Sequence, residues 1–202
     1  MLYSRSKVFL GVALLVLMTQ SALAQAEEIS KRYLQKANDV VKLVKTKTLS
    51  EDDRNDQIVK VIEPLFDFRL MAKLSLGKKQ WRALSEEKKQ EFTSLYVKRM
   101  KDSYAKKVNA YTDEKIVVRK SIKEKKNRVT LITDLVGDGD TTEVVYKYYH
   151  PKKRAANKYE WLIYDAVISG VSIIKTDKSQ FKEVLREKSI DVLMDKMRNN
   201  KK

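Results

Sequence analysis

Residues 159–174, YEWLIYDAVISGVSII, constrain the fold more than any other stretch of the chain. Tyr159, Trp161, Ile163 and Val167 share one parity, with Asp165 among them; Leu162, Tyr164, Ala166 and Ile168 share the other. A strand with one face in water alternates apolar and polar residues at period two. Here both parities are mostly apolar. β-Branched and aromatic residues dominate and proline is absent, so the pattern predicts a central strand covered on both faces. Ser169-Gly170 interrupts the run, a signal for a bulge or a sharp bend. Composition leaves two readings for the covered faces, filled core and cavity wall.

Such a strand needs partners. Ile116 to Ile122, Arg128 to Val136 and Thr141 to Tyr149 read as three more strands, with Gly137-Asp138-Gly139-Asp140 as a hairpin turn. Short connections make the four an antiparallel meander. Ahead of them the period is helical. Ile29, Tyr33, Leu34, Ala37, Val40, Val41 and Val44 draw one stripe over Ile29 to Thr48. Glu51-Asp52-Asp53 suits the start of a short second helix bearing Ile58, Val61 and Ile62. Pro64 interrupts, and a helix from Leu65 to Leu76 carries Phe66, Leu70, Met71 and Leu74 before Gly77 closes it. Ser85 caps the longest helix, whose stripe is Phe92, Leu95, Tyr96, Met100, Tyr104 and Val108. From Asp177 a closing helix carries Phe181, Leu185, Leu193 and Met197. The expected fold is α+β: N-terminal helices and a C-terminal helix packed on a curved four-stranded antiparallel sheet.

The first residues bear on compartment. Arg5 and Lys7 precede an apolar run from Val8 to Met18, followed by Ser21-Ala22-Leu23-Ala24. That arrangement predicts a secretory signal peptide over residues 1–24, leaving one domain over 25–202. No cysteine stands at the junction or anywhere else, so a disulfide framework and thiolate metal sites are excluded. An exported, cysteine-free chain points to a bacterial periplasm.

Catalytic material is scarce. The single histidine, His150, sits beside Pro151 and is expected to be an exposed loop residue. Histidine-metal clusters and histidine-based triads therefore lack parts, and no glycine-rich phosphate loop or cofactor motif occurs. Asp134, Asp138, Asp140 and Glu143 crowd one turn, but their spacing is that of a hairpin rather than a calcium loop. Asp67 and Asp165, flanked by apolar residues, read as caps or as acceptors for backbone donors.

The formal charge of +16 falls by only two if the segment carrying Arg5 and Lys7 is removed. In a meander the first and third connections share one end of the sheet. That end would gather Lys125 and Lys126 with Lys152, Lys153 and Arg154 into a basic lip for anionic headgroups or an acidic partner surface. Nucleic acid is an improbable partner for an exported chain.

Two stretches together resemble the MlaC family of periplasmic phospholipid carriers, also called the toluene-tolerance family. The first is Phe66-Asp67-Phe68, Met71-Ala72, Leu76-Gly77 and Trp81, followed by Ser85, Phe92 and Tyr104-Ala105. The second is Trp161, Tyr164-Asp165, Ile168 and Gly170-Val171-Ser172, ending at Ser179-Gln180-Phe181. The chain departs from the family where an aromatic and an arginine commonly precede that last segment; it has Asp177 and Lys178 there. Lysine lacks arginine's planar fork, so no contact is carried over at that point. The resemblance implies an apolar cavity between helices and sheet that takes the acyl chains of a diacyl phospholipid. It also implies shuttling between an outer-membrane lipoprotein–porin complex and an inner-membrane ABC transporter with an MCE-domain component. Helix stripes and the parity of Trp161 nominate the wall as Leu70, Met71, Leu74, Tyr96, Met100, Tyr104, Leu131, Tyr146, Trp161, Ile163 and Val167. The alternative is a non-enzymatic exported adaptor with a filled core and a basic lip.

Overall fold

The computed structural model describes residues 5–46, 48–109, 113–151 and 160–199, with side chains omitted for 5–23 and 104–109. Helix α1 runs unbroken from Arg5 to Lys45, so the expected leader and the amphipathic stripe belong to one helix. It, and not the helix after Ser85, is the longest. Among the described residues no helix is long and apolar enough to cross a membrane.

Ser50 caps α2 (Glu51–Ile62) by accepting from the Asp53 amide at 3.1 Å, and the three acids of its first turn suit the helix dipole. Pro64 then directs a single 3₁₀ turn, Glu63–Leu65. Phe66 is extended and bridges Ile163 in parallel, so the next helix, α3, begins at Phe68 and ends at Leu76. The expected start at Leu65 is thus three residues early, because pairing with a distant strand outcompetes local helix formation. Asp67 caps α3, accepting from the Leu70 amide at 2.8 Å. Gly77 has φ +85° and ψ 153°, a region essentially closed to other residues. It separates α3 from a short α4 (Lys78–Ala83) that the periodicity did not reveal. Ser85 does cap α5 (Glu86–Asn109).

The sheet has five strands in the order β1-β2-β3-β4-β5, all antiparallel, rather than four. β1 (Lys115–Lys125), β2 (Arg128–Val136) and β3 (Thr141–Tyr149) match the sequence pattern closely. The run 159–174 divides. Leu162–Ile168 is β4, Ser169 (φ 48°) and Gly170 (φ 81°) turn the chain, and Val171–Ser172 is a short β5. Two consecutive positive φ angles give the turn a twist that suits a two-residue hairpin. The closing helix begins at Ile173, not Asp177, and is two helices: α6 (Ile173–Glu187) and α7 (Ile190–Asn199). Its early start has a long-range cause. Ser172 caps the Lys175 amide at 3.1 Å, while Asp165, from β4, accepts from the Ile174 amide at 3.2 Å and the Ser172 hydroxyl at 2.8 Å.

The core has two parts. α1 lies on one face of the sheet, where Ile29, Tyr33 and Leu65 pack with Val129, Leu131, Tyr148, Trp161 and Ile163. Helices α3 to α7 build their own cluster beside β4, with Met71, Trp81, Phe92, Tyr96, Phe181 and Met194 buried together. The C-terminal helices therefore close a helical layer, and β4 is covered on both sides as its sequence demands: Leu162, Ile163, Asp165 and Ala166 are all buried.

Candidate functional site

Between those two clusters lies a cleft of about 380 Å³. Its helical wall is the C-terminal half of the α1 stripe: Tyr33, Ala37, Val40, Val41 and Val44, with Lys36 among them. These recur at spacings of three and four and share one face. The stripe changes character along its length. Ile29 and Tyr33 are large enough to reach the sheet and are buried against it. Ala37, Val40, Val41 and Val44 are half-buried and short, so the gap beneath them stays open. The rest of the wall is Leu65 and Phe66 from the 3₁₀ turn and its exit, Met100 from α5, and Leu135, Val144 and Tyr146 from the sheet.

The contribution of β4 turns on one residue. Tyr148 pairs with Ile163 but Lys147 pairs with Asp165, so Tyr164 is an extra, bulged residue. A bulge reverses which side chains face which side. Ile163 faces the cleft, and beyond the bulge Ala166 and Ile168 do so, not Asp165 and Val167. The unbroken parity read from the sequence therefore fails halfway along the strand. Val167 pairs with Ser172 on the other face, and Asp165 joins the cap of α6 with Lys147 at 3.4 Å.

Among the residues nominated from sequence, Met100, Tyr146 and Ile163 line the cleft. Met71 and Tyr96 are fully buried in the helical cluster, and Leu131 is fully buried beneath α1. Leu70 and Leu74 are half-buried on α3 away from the cleft, and Trp161 packs against His150 with ring centroids 5.5 Å apart. The Tyr104 side chain lies outside the described residues, as do Lys152, Lys153 and Arg154. Lys125 and Lys126 are exposed at the β1–β2 turn. The cleft instead runs toward the opposite end of the sheet, where Ile116, Leu135, Thr142 and Ile168 lie. The two lysines are thus roughly 20 Å of strand length from its far end. The residues missed include Leu65, Phe66, Leu135, Val144, Ala166 and Ile168, and above all those of α1. Their signal was present in the stripe, as small and β-branched side chains where a filled interface would carry leucine or phenylalanine.

Polar groups are few. Lys36, on the rim, pairs with Asp39 at 3.0 Å. At the inner end the Tyr33 and Tyr146 rings meet at a tilt, with centroids 5.0 Å apart, and Thr133, fully buried, donates to the Val144 carbonyl at 2.8 Å. Asp67 accepts from the Tyr149 hydroxyl as well as capping α3. Arg119 pairs with Asp134 and Glu143, which ties up two acids of the crowded hairpin. No group of three or more potential metal ligands occurs among the described residues. The lining of the cleft is mostly apolar.

Below it, α5 and α6 are joined by a buried polar chain. The Ser75 hydroxyl donates to Tyr96 at 3.2 Å, the Tyr96 hydroxyl donates to Asp177 at 2.9 Å, and Arg99 holds the other carboxylate oxygen at 2.7 Å. Burial, then the neighbouring charge of Asp177, raises the Tyr96 pKa well above the usual tyrosine value, and burial does the same for Tyr148. Both ionise near pH 10 once unfolded. A raised native value contributes stability that is complete below about pH 10 and is lost as pH climbs toward it. Urea midpoints should therefore fall with pH above about 10, and Tyr148→Phe should make the fall shallower.

Comparison with known proteins gives two findings. The family described as MlaC protein matches residues 34–199. The fold is similar to that of a phospholipid-binding protein from Ralstonia solanacearum, solved in complex with a phospholipid. The TM-score is 0.70 at 15% identity, over 83% of this chain and 93% of that one. No curated protein sequence matches the chain.

Proposed function

The chain belongs to the MlaC family, and from that premise we propose that it is a periplasmic phospholipid carrier. It shuttles lipid between the outer and inner membranes as the soluble component of an Mla-type ABC transport pathway. The observation that carries this reading is the apolar cleft between α1 and the sheet, in a fold whose solved relative holds a phospholipid. The volume falls within the range of small-molecule pockets, about 300–1,000 Å³.

The task explains the chemistry of the wall. Exposing an acyl chain of about sixteen carbons to water costs on the order of 12 kcal/mol, at about 0.8 kcal/mol per methylene. A carrier must cover the chain without holding it more firmly than a bilayer does. Valine, isoleucine, alanine and methionine provide such cover, and few polar anchors are needed. The leader-like residues 1–24 support export, and the scarcity of catalytic groups supports carriage rather than turnover. The partners follow from the family: an MCE-domain inner-membrane ABC transporter at one end and an outer-membrane lipoprotein–porin complex at the other. The exposed turn at Lys125 and Lys126, at the other end of the sheet from Ile116 and Leu135, suits partner contact.

Native mass spectrometry of protein purified from an exporting cell tests this. Co-purifying diacyl phospholipid, released by organic extraction, is the expected result. A ligand-free protein that also takes up no lipid from vesicles would leave the adaptor reading in its place.

A further inference from the structure

Positive charge is unevenly matched over this molecule. On α5 and α7 several cations have partners: Lys88 with Asp191 at 2.6 Å, Lys89 with Glu86 at 2.8 Å, Lys101 with Glu63 at 2.9 Å, and Arg198 with Glu91 and Asp195. On α6 the pattern reverses. Lys175, Lys178 and Lys182 recur at i, i+3 and i+7, which places them in one stripe. They are exposed, on the side away from buried Asp177 and Phe181. Arg186 extends the stripe by a turn, with Glu187 at 3.9 Å as its neighbour and both side chains nearly three-quarters exposed.

A second element widens it. α3 packs on α6, and a side-chain carbon at Gly77 would lie 3.8 Å from Lys178 Cε. Lys73, Lys78 and Lys79, all exposed, flank Gly77 and so join the same surface. Among the described residues none of these six lysines makes an ion pair. Glu183 and Glu187 are the exposed acids that α6 itself contributes, its third acid, Asp177, being buried.

We infer that this ridge docks the protein on an anionic bilayer surface. Two features favour lipid over a protein partner. The cations are lysines, compact point charges that suit many mobile headgroup phosphates without a fixed geometry. The cores of protein interfaces instead deplete lysine and enrich arginine and aromatic side chains, whereas this ridge holds six lysines to one arginine, Arg186. The stripe from Lys175 to Arg186 is also about 17 Å long, enough to meet several headgroups at once. Position gives docking a use. Ile173, at the start of α6, lines the cleft on the face of that helix opposite Lys175, so contact through α6 leaves one end of the cleft about a helix diameter, roughly 10 Å, from the membrane. That use rests on the carrier reading; the docking itself does not.

Co-sedimentation of the purified protein with phosphatidylglycerol-containing vesicles, and with pure phosphatidylcholine vesicles, tests the inference. Binding to the anionic vesicles only, falling as salt is raised, is expected. Reversing Lys175, Lys178 and Lys182 together to glutamate should weaken binding about a hundredfold or more, at the contribution of roughly a factor of five per lysine near a charged surface. The control triple Lys31→Glu, Lys42→Glu, Lys60→Glu carries the same charge change on other exposed positions and should weaken it less than about tenfold. Equal losses from the two triples would mean that net charge alone acts. Binding untouched by the α6 triple, no vesicle binding at all, or ridge-dependent capture by an acidic protein surface without vesicle binding would each overturn the inference. Circular dichroism melts establish that both triples fold. Lipid extracted from the same preparations reads the cleft separately, so a protein that docks but carries no lipid refutes the carrier and keeps the ridge.

Discussion

Replacing Asp177 by asparagine is expected to lower the unfolding free energy by about 2–4 kcal/mol. The carboxylate is 2% exposed and receives Tyr96 on one oxygen and Arg99 on the other. Asparagine keeps the size and a bond to Tyr96 but leaves the Arg99 guanidinium without its counter-charge. Removing one partner of a buried pair typically costs about 3–5 kcal/mol. The Arg99 side chain is 26% exposed, so water recovers part of that loss. For a domain with a total stability of about 5–15 kcal/mol the change is large. Urea unfolding should show a lower midpoint at an unchanged m-value. A double-mutant cycle with Arg99→Met should give a coupling above about 1 kcal/mol. A loss below about 1 kcal/mol, or no coupling, would mean that the network ties α5 to α6 far less than its geometry indicates.

The second expectation separates wall from core. Val41→Trp places a large ring in the cleft from α1, where valine is only half-buried. Co-purified phospholipid should fall about tenfold or more, with stability changed by less than about 1 kcal/mol because the ring enters open space. Met71→Trp inserts the same ring where there is no space, since Met71 is fully buried among the α3, α5 and α6 side chains. Overpacking there should cost about 1–3 kcal/mol while lipid occupancy per folded molecule stays near that of the parent. Lipid extraction alongside thermal melts reads both quantities. Retained lipid in Val41→Trp would remove the cleft from the binding role.

The departure at Asp177 and Lys178 gains a meaning from the fold. Asp177 is not an altered ligand contact but the acid that fastens α6 to α5, and Lys178 is the middle of the basic ridge. A buried acid and an exposed base at adjacent positions follow from helix geometry: neighbours in sequence lie about 100° apart around the axis.

Elements whose signals are local could be read from the residues alone. β2 and β3 were legible to the residue because alternation and turn glycines are properties of a few consecutive positions. The α1 stripe, the acidic start of α2, the Ser85 cap and the glycine stop at Gly77 were legible for the same reason. Whatever depends on two distant segments meeting could be seen only in the folded chain. The start of α6 rests on Asp165 reaching across from β4, the start of α3 on Phe66 pairing with Ile163, and the facing of Ala166 and Ile168 on the bulge at Tyr164. The cleft belongs to this second kind. A void is the distance left between α1 and the sheet after their larger side chains have met. No residue encodes that distance alone: Met71 and Val41 are both apolar members of helical stripes, and packing makes one core and the other wall.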